Sequence, residues 1–173
     1  MSGELSITEK RRIVIAYDGS EDARKLFDWS VKNIINPKTD HIILVNAMPR
    51  WSHSGHRRNS TGKELPMLTT TPTRVNEAIE QLDTSQPQGQ TVRQLLESMA
   101  NQLRSLNISS EQHILWGEAK DVLPKYTQSQ PTHLLIVGSR GLSTVKSVLV
   151  GSVSEKCIKE CPCPVLVVRN AII

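Results

Sequence analysis

Three glycines, and the serine that follows the last of them, form the segment of this sequence with the clearest chemistry. Two residues separate Gly138 from Gly141, and nine separate Gly141 from the pair Gly151 and Ser152. Glycine allows positive φ angles and places no Cβ between the backbone and a ligand. Successive N–H groups in such a segment form a concave site for an anion, so we expect it to bind a phosphate group.

A helix is predicted to begin at the end of this segment, because Ser152 and Glu155 have the spacing of a capping box. The first N–H groups of a helix lie at its positive end, which suits phosphate. The segment also carries hydroxyl groups and positive charges, at Ser139, Ser143, Thr144, Ser152 and Ser154 and at Arg140 and Lys146. It is neither a Walker A loop nor a dinucleotide fingerprint, and the alternative interpretation is an ordinary turn before a capped helix.

The elements that must position this segment are predicted from apolar runs and helical spacing. Continuous apolar runs are typical of strands buried on both faces of a sheet, and they occur at residues 13–17, 42–45 (extended through 46–47), 134–137 and 165–168; a further strand is predicted at 112–116. Helical spacing of apolar residues lies between these runs, with Pro124 predicting a kinked or shortened helix. The alternation predicts an α/β fold, an open five-stranded parallel sheet with helices on both faces, Rossmann-like.

The carboxyl ends of three predicted strands carry further candidate binding residues. Asp18, Ala47 and Gly138 each stand at such an end, where ligands bind in open parallel sheets. As a carboxylate, Asp18 could accept a hydrogen bond from a ligand or hold Mg²⁺. The alternative is that Asp18 only organises the turn made with Gly19 and Ser20.

Composition narrows the class of protein. The chain has 173 residues, a net charge of +4 and only six aromatic residues, namely one Phe, two Tyr and three Trp. Few stacking side chains and no long basic stripe argue against a nucleic-acid-binding protein. No apolar run approaches the ~20 residues that span a bilayer, so we predict no membrane segment and a cytoplasmic location.

The glycine segment, the apolar strand before Asp18 and the Pro-Val-Leu-Val-Val strand at 164–168 together resemble the universal stress protein family of ATP-binding type. That family carries Gly-x2-Gly-x9-Gly-Ser/Thr. The resemblance covers residues 11–169 and implies a single domain over about 11–170. It further implies the strand order 3-2-1-4-5 of an adenine nucleotide alpha hydrolase-like fold, and homodimers formed through the last strand, Val165–Val168.

The resemblance also implies roles for individual residues. Ala16 and Asp18 would line the adenine–ribose end, and the backbone of Ala47 would meet the adenine edge. The glycine segment would wrap the ribose and phosphates, through Gly138, Ser139, Arg140, Gly141, Leu142, Ser143, Thr144 and Gly151. Ser152, Val153 and Ser154 would cap the phosphates.

These residues favour a nucleotide-gated sensor or adaptor in the stress response over an enzyme. The expected ligands are ATP, or AMP or ADP, with Mg²⁺ held by Asp18. No histidine follows a predicted strand end, so we expect at most weak ATP hydrolysis. Two alternatives stay open: a nucleotide-independent interaction module, and a slow ATPase or autokinase. The protein partner is unknown.

Two other groups of residues invite interpretation. Cys157, Cys161 and Cys163 could bind a metal or act in redox chemistry, but three thiols without a histidine are more typical of buried free cysteines. Residues 49–73 are polar and basic and predict a mobile insertion. Within it, Ser60 follows two arginines and is a candidate phosphorylation site.

Overall fold

The computed structural model describes residues 5–48, 92–139 and 151–169. In these residues, five strands alternate with four helices. The strands are β1 Arg11–Tyr17, β2 Asp40–Met48, β3 Ser109–Trp116, β4 Leu134–Gly138 and β5 Val165–Val168. The helices are α1 Glu21–Asn33, α2 Val92–Ser105, α3 Ala119–Ser129 and α4 Ser152–Glu160. The predicted insertion at 49–73, Ser60 included, lies outside the described residues.

The strands form one parallel sheet in the order β3-β2-β1-β4-β5, which confirms the predicted fold class and strand order. β1 lies at the centre, where Ala16 pairs with Val45 of β2 and Ile15 pairs with Ile136 of β4. The order reverses between β1 and β4. This reversal opens a crevice at the carboxyl edge of the sheet, where open α/β sheets bind ligands.

Helices cover both faces of the sheet, which explains why the strands read as continuous apolar runs. Ile13 and Ile15 of β1 pack in one core with side chains of α1 and α2. Val14, between them, packs on the opposite face with side chains of α3 and α4. Since successive side chains of a strand point to opposite faces, a strand covered on both faces needs an apolar residue at every position.

The structure gives the bounds of α1 and β3. α1 begins after Ser20, whose Oγ accepts the Ala23 N–H at 3.1 Å and so caps the helix. It ends at Asn33, although apolar residues at helical spacing continue to Ile34 and Ile35 in the sequence; the N–H groups of both donate to the Ser30 carbonyl. β3 begins at Ser109, earlier than predicted, because polar residues there still pair with β2.

The shortened helix that was one of the two expectations at Pro124 is not observed. Pro124 does not shorten α3, which continues to Ser129 with Pro124 buried inside it. Tertiary packing of the helix offsets the hydrogen bond that the proline cannot donate. Ile158 of α4 is apolar but 53% exposed, whereas Cys157 beside it is buried.

Candidate functional site

A cavity of about 270 Å³ opens at the carboxyl edge of the sheet, where the strand order reverses. Its walls come from the ends of β1, β2 and β4 and from the first turns of α1, α3 and α4. Eight of the residues selected from the sequence line it: Ala16, Asp18, Ala47, Gly138, Gly151, Ser152, Val153 and Ser154. Residues far apart in the sequence therefore meet in one pocket.

The remaining candidates lie elsewhere or cannot be placed. Ser139 does not line the pocket; its N–H donates to the Val168 carbonyl at 2.9 Å and extends the pairing of β4 with β5. The other five candidates lie outside the described residues: Arg140, Gly141, Leu142, Ser143 and Thr144.

Nine further lining residues were missed by the sequence analysis. They are Tyr17, Ser20, Asp22, Ala23, Leu26, Val45, Ala119, Leu123 and Val137. One of these residues could have been selected from the sequence. Val45 lies two residues before Ala47, so both side chains belong to the same face of β2. The contributions of α1 and α3 depend on how these helices pack, which their own sequences do not specify.

Asp18 organises the turn between β1 and α1. Its Oδ1 accepts a hydrogen bond from the Ser20 N–H at 3.0 Å and another from the Ser20 hydroxyl at 2.6 Å. The Ser20 Oγ in turn accepts the Ala23 N–H and caps α1. The turn role considered as the alternative for Asp18 is therefore present, and the exposed carboxylate also lines the pocket.

The first turn of α4 differs from that of α1. The N-cap of α4 is Gly151, which has no side chain to accept the N–H groups of the first turn. The predicted capping box is therefore wrong: Ser152 is the first helical residue, and the Glu155 carboxylate pairs with Lys159 at 2.7 Å. Because no side chain of the described residues caps α4 at the pocket, its positive end is suited to an anion from outside the chain.

The walls of the pocket divide into an apolar part and a polar part. Val45, Ala47, Leu123 and Val137 supply apolar side chains from the face shared with α3 and α4. Among the described lining residues, the charged side chains are those of Asp18 and Asp22, both acidic and both at the α1 side. An anion is therefore favoured at the first turn of α4, and a cation beside the carboxylates of Asp18 and Asp22.

Gly117 fixes the turn that leads into α3. Its φ is +137°, and a Cβ at this position would lie 2.7 Å from Cγ1 of Val122. Its N–H donates to the Met48 carbonyl at 2.6 Å, which connects the turn to the end of β2. Only glycine fits both the conformation and the space, and the turn places Ala119 and Leu123 at the pocket.

The cysteines are free thiols. Cys157 is buried, as predicted, while Cys161 and Cys163 are only half-buried. Burial raises the pKa of the Cys157 thiol to about 12, and the neighbouring Cys161 adds to this effect. Among the residues that the structure describes, no group of three or more histidine, cysteine or acidic side chains is arranged to hold a metal ion.

Comparison with protein families identifies relatives of the whole chain. The model of the universal stress protein family matches residues 10–169. A universal stress protein A-like protein of Arabidopsis thaliana is 38% identical over 78 residues, which are 44% of this chain and 45% of the relative. The universal stress protein YxiE of Bacillus subtilis strain 168 is 25% identical over 158 residues, 91% of this chain and 98% of the relative. The chain thus matches less than half of the first relative's length.

Solved structures share the fold. The hypothetical protein MJ0577 superimposes with a TM-score of 0.64 at 22% identity, covering 93% of this chain and 96% of that one. A universal stress protein family member of Arabidopsis thaliana with AMP bound gives 0.56 at 20% identity, covering 92% and 91%. A universal stress protein in complex with cAMP gives 0.58 at 18% identity, covering 94% and 98%. No helix in the described parts of the chain is long and apolar enough to cross a membrane.

Proposed function

This chain belongs to the universal stress protein family, and on that premise we propose that it binds an adenine nucleotide, ATP with Mg²⁺, in the pocket at the carboxyl edge of its sheet. The protein acts as a dimeric, nucleotide-gated sensor or adaptor of the stress response in the cytoplasm. Two solved relatives of the same fold hold AMP and cAMP, which supports an adenine nucleotide as the ligand.

The observation that carries the proposal is the division of the pocket into two chemically different parts. Val45, Ala47, Leu123 and Val137 form an apolar wall suited to a flat base. The first turn of α4, with Gly151 as its N-cap, offers N–H groups and the hydroxyl of Ser152 to phosphate oxygens. A nucleotide has an apolar base at one end and anionic groups at the other, so it fits both parts at once.

Asp18 is the proposed ligand of Mg²⁺. Mg²⁺ is usually held by one or two carboxylates together with substrate phosphates, and it keeps several waters. Among the lining residues that the structure describes, the acidic side chains are Asp18 and Asp22. A triphosphate in this site therefore needs a cation between its phosphates and these two carboxylates. The proposal therefore includes tighter binding of ATP with Mg²⁺ than without it.

The proposed homodimer forms through β5. This strand is at the edge of the sheet, and its residues Val165, Leu166 and Val167 are apolar but only half-buried. An edge strand exposes N–H and C=O groups that can pair with another chain. A second copy would satisfy these groups and cover the three side chains.

The test is calorimetric titration of the purified protein with ATP, ADP, AMP and cAMP, each with and without Mg²⁺. We expect saturable binding of at least one adenine nucleotide and a rise in melting temperature by mass action. Absence of binding by all four at millimolar concentration would overturn the proposal. That result would favour the alternative, a nucleotide-independent interaction module. Mass spectrometry of nucleotide released from the purified protein is an independent check.

A matched pair of variants at Ser152 tests the anion site itself. Ser152→Pro removes one N–H at the first position of α4, where proline is compatible with a helix. The preceding Gly151, at φ −73° and ψ 161°, already has the conformation that a residue before proline prefers. Ser152→Ala removes only the hydroxyl. We expect the proline variant to bind ATP about ten-fold more weakly, as the loss of one charge-assisted hydrogen bond implies, and the alanine variant to lose less.

The slow ATPase or autokinase alternative is tested by phosphate release. In the described residues no histidine lines the pocket, and the carboxylate of Asp18 already accepts two hydrogen bonds from Ser20. A positioned acid–base group contributes about 10² to 10⁴-fold to a rate. Fast phosphate release abolished by Asp18→Ala would replace the sensor with an enzyme.

A further inference from the structure

Two walls of the pocket are helices from different parts of the chain. α3 contributes the apolar side chains of Ala119 and Leu123, and α4 contributes Ser152, Val153 and Ser154. Both helices begin at the pocket and pack on the same face of the sheet. Their relative position therefore sets how far the apolar wall lies from the first turn of α4.

One ion pair joins the two helices close to the pocket. Lys156 of α4 donates from Nζ to Oδ1 of Asp121 of α3 at 2.7 Å. Asp121 lies midway between the lining residues Ala119 and Leu123, and Lys156 lies two residues after Ser154. Another link between these helices lies at their far ends, where the Gln128 Nε2 donates to the Glu160 carbonyl at 3.1 Å.

Both members of the pair stay charged at neutral pH. The hydrogen bond from Lys156 lowers the pKa of the Asp121 carboxyl, and the same bond raises the pKa of Lys156. Lys156 is also 3.8 Å from Oε1 of Glu160, one helical turn further on. The side chains are 34% and 41% exposed, so the pair is partly screened by solvent and its effect is modest.

We propose that Lys156 and Asp121 are positioning residues, which hold the first turns of α3 and α4 at the separation that a bound nucleotide requires. The inference rests on the proposed nucleotide site and adds two residues that do not line it. A nucleotide has a fixed distance between base and phosphates, so a pocket whose two walls move apart makes good contact with only one end of it. Losing either partner weakens binding without removing any ligand contact.

Asp121→Asn separates positioning from simple charge attraction. Removal of a negative charge near the pocket would strengthen binding of an anion if only long-range electrostatics mattered. Positioning predicts the opposite sign, because the variant breaks the link between the helices. We expect Asp121→Asn and Lys156→Gln each to weaken ATP binding about three-fold, within the range of exposed ion pairs. The double variant is expected to bind no more weakly than either single one, since the pair acts as a unit.

Lys159→Gln is the matched control. Lys159 pairs with Glu155 at the same distance of 2.7 Å, but both residues lie on α4, so this pair does not join two helices. Lys159→Gln removes the same charge from the same helix as Lys156→Gln and is expected to leave the affinity within error of the wild type. Equal losses in the two lysine variants, or tighter binding by Asp121→Asn, would overturn the inference.

Hydrogen exchange without nucleotide keeps this inference separable from the proposed function. We expect amides in the first turns of α3 and α4 to exchange about three-fold faster in Asp121→Asn than in the wild type, and those of Lys159→Gln to be unchanged in α3. Unaltered exchange in Asp121→Asn would contradict the positioning role whether or not ATP binds. If the wild type binds no nucleotide but hydrogen exchange is faster in Asp121→Asn, the proposed function is overturned. The pair of Lys156 and Asp121 would then only join the two helices.

Discussion

Oδ1 of Asp18 accepts both the N–H and the hydroxyl of Ser20, at 3.0 and 2.6 Å, so one carboxylate oxygen builds the turn that joins β1 to α1. The hydroxyl of Ser20 then caps α1 by accepting the Ala23 N–H. The same carboxylate lines the pocket. A structural role and a ligand-binding role are thus combined in Asp18, and a test of function must separate them.

Asp18→Asn makes this separation. Asparagine keeps an oxygen that can accept both hydrogen bonds of the turn, so we expect the free energy of unfolding to change by less than about 0.5 kcal/mol, as for other exposed substitutions. The negative charge is lost, so the gain in ATP affinity on addition of Mg²⁺ should shrink. Urea unfolding and calorimetric titration measure the two effects; an unchanged Mg²⁺ effect would rule out Asp18 as a metal ligand.

Ser20→Ala is the complementary control. It removes the cap of α1 and one of the two hydrogen bonds to Asp18 but leaves the carboxylate in place. Loss of a serine N-cap costs about 1 kcal/mol, so we expect this loss of stability with the Mg²⁺ effect retained. A variant that loses stability and the Mg²⁺ effect together would indicate that the turn, and not the charge, determines binding.

Gly117→Ala is predicted to destabilise the fold strongly. The new Cβ would lie 2.7 Å from Cγ1 of Val122, and a φ of +137° is unfavourable for any residue with a Cβ. Overpacking alone costs about 1–3 kcal/mol, and the backbone strain adds to it. We expect a loss of about 3 kcal/mol in urea unfolding and weaker nucleotide binding, because the turn positions Ala119 and Leu123.

Gly138→Ala is the matched control for Gly117→Ala. Its Cβ would meet Cδ2 of Leu26 at 3.7 Å, which is an ordinary van der Waals contact. We expect little change in stability. If both alanine variants unfold at the same urea concentration, the close approach of Gly117 to Val122 is not a constraint on the fold.

A cluster of ionisable groups around the buried His41 predicts how stability depends on pH. His41 is 4% exposed, and its Nε2 lies 3.6 Å from Oε1 of Glu111. Glu111 also pairs with Arg12 at 2.7 Å and lies 3.6 Å from the Nε2 of His113. The pKa of His41 is lowered, chiefly by burial and also by Arg12, although Glu111 opposes the shift.

The lowered pKa means that stability should fall as the pH drops below about 6.5, the ordinary histidine value. In that window the unfolded chain takes up a proton on this residue and the folded chain does not, so acid favours unfolding. The loss ends once the pH passes the folded pKa of His41. We expect His41→Gln to flatten the dependence of the unfolding free energy between pH 7 and 5; an equally steep profile in the variant would assign it to another group.

The sequence predicted the sheet correctly because most of β1 and β4 is buried on both faces and, like the edge strand β5, reads as an uninterrupted apolar run. It also selected the residues at strand ends, since the crossover rule brings Asp18, Ala47 and Gly138 to one edge. The capping box at Ser152 failed because a glycine one residue earlier takes the N-cap position. The pairing of Lys156 with Asp121 was not predictable, since it depends on how two helices from separate crossovers pack.

The salt bridge between Arg11 and the buried Asp40 should contribute strongly to the stability of the fold. The Asp40 carboxylate is fully buried and accepts Arg11 through Nε at 3.0 Å and Nη2 at 2.9 Å. It also accepts the Asn36 N–H at 2.8 Å and the Thr39 hydroxyl at 3.1 Å. Burial alone would raise the pKa of Asp40, but these donors lower it below the ordinary value of 3.8.

Asp40→Ala should therefore destabilise the protein by about 3 kcal/mol, because it leaves the donors that surround the carboxylate without their acceptor. Asp28→Ala is the control: Asp28 pairs with Arg24 at 3.3 Å but is about half exposed, and such pairs contribute about 0–1 kcal/mol. Since the pKa of Asp40 is lowered, its contribution is complete above pH 4 and is lost as the pH falls further. Urea unfolding at pH 7 and pH 3 should show the difference between wild type and Asp40→Ala narrowing in acid. A difference that stays constant would mean that the buried carboxylate is held by packing rather than by its charge.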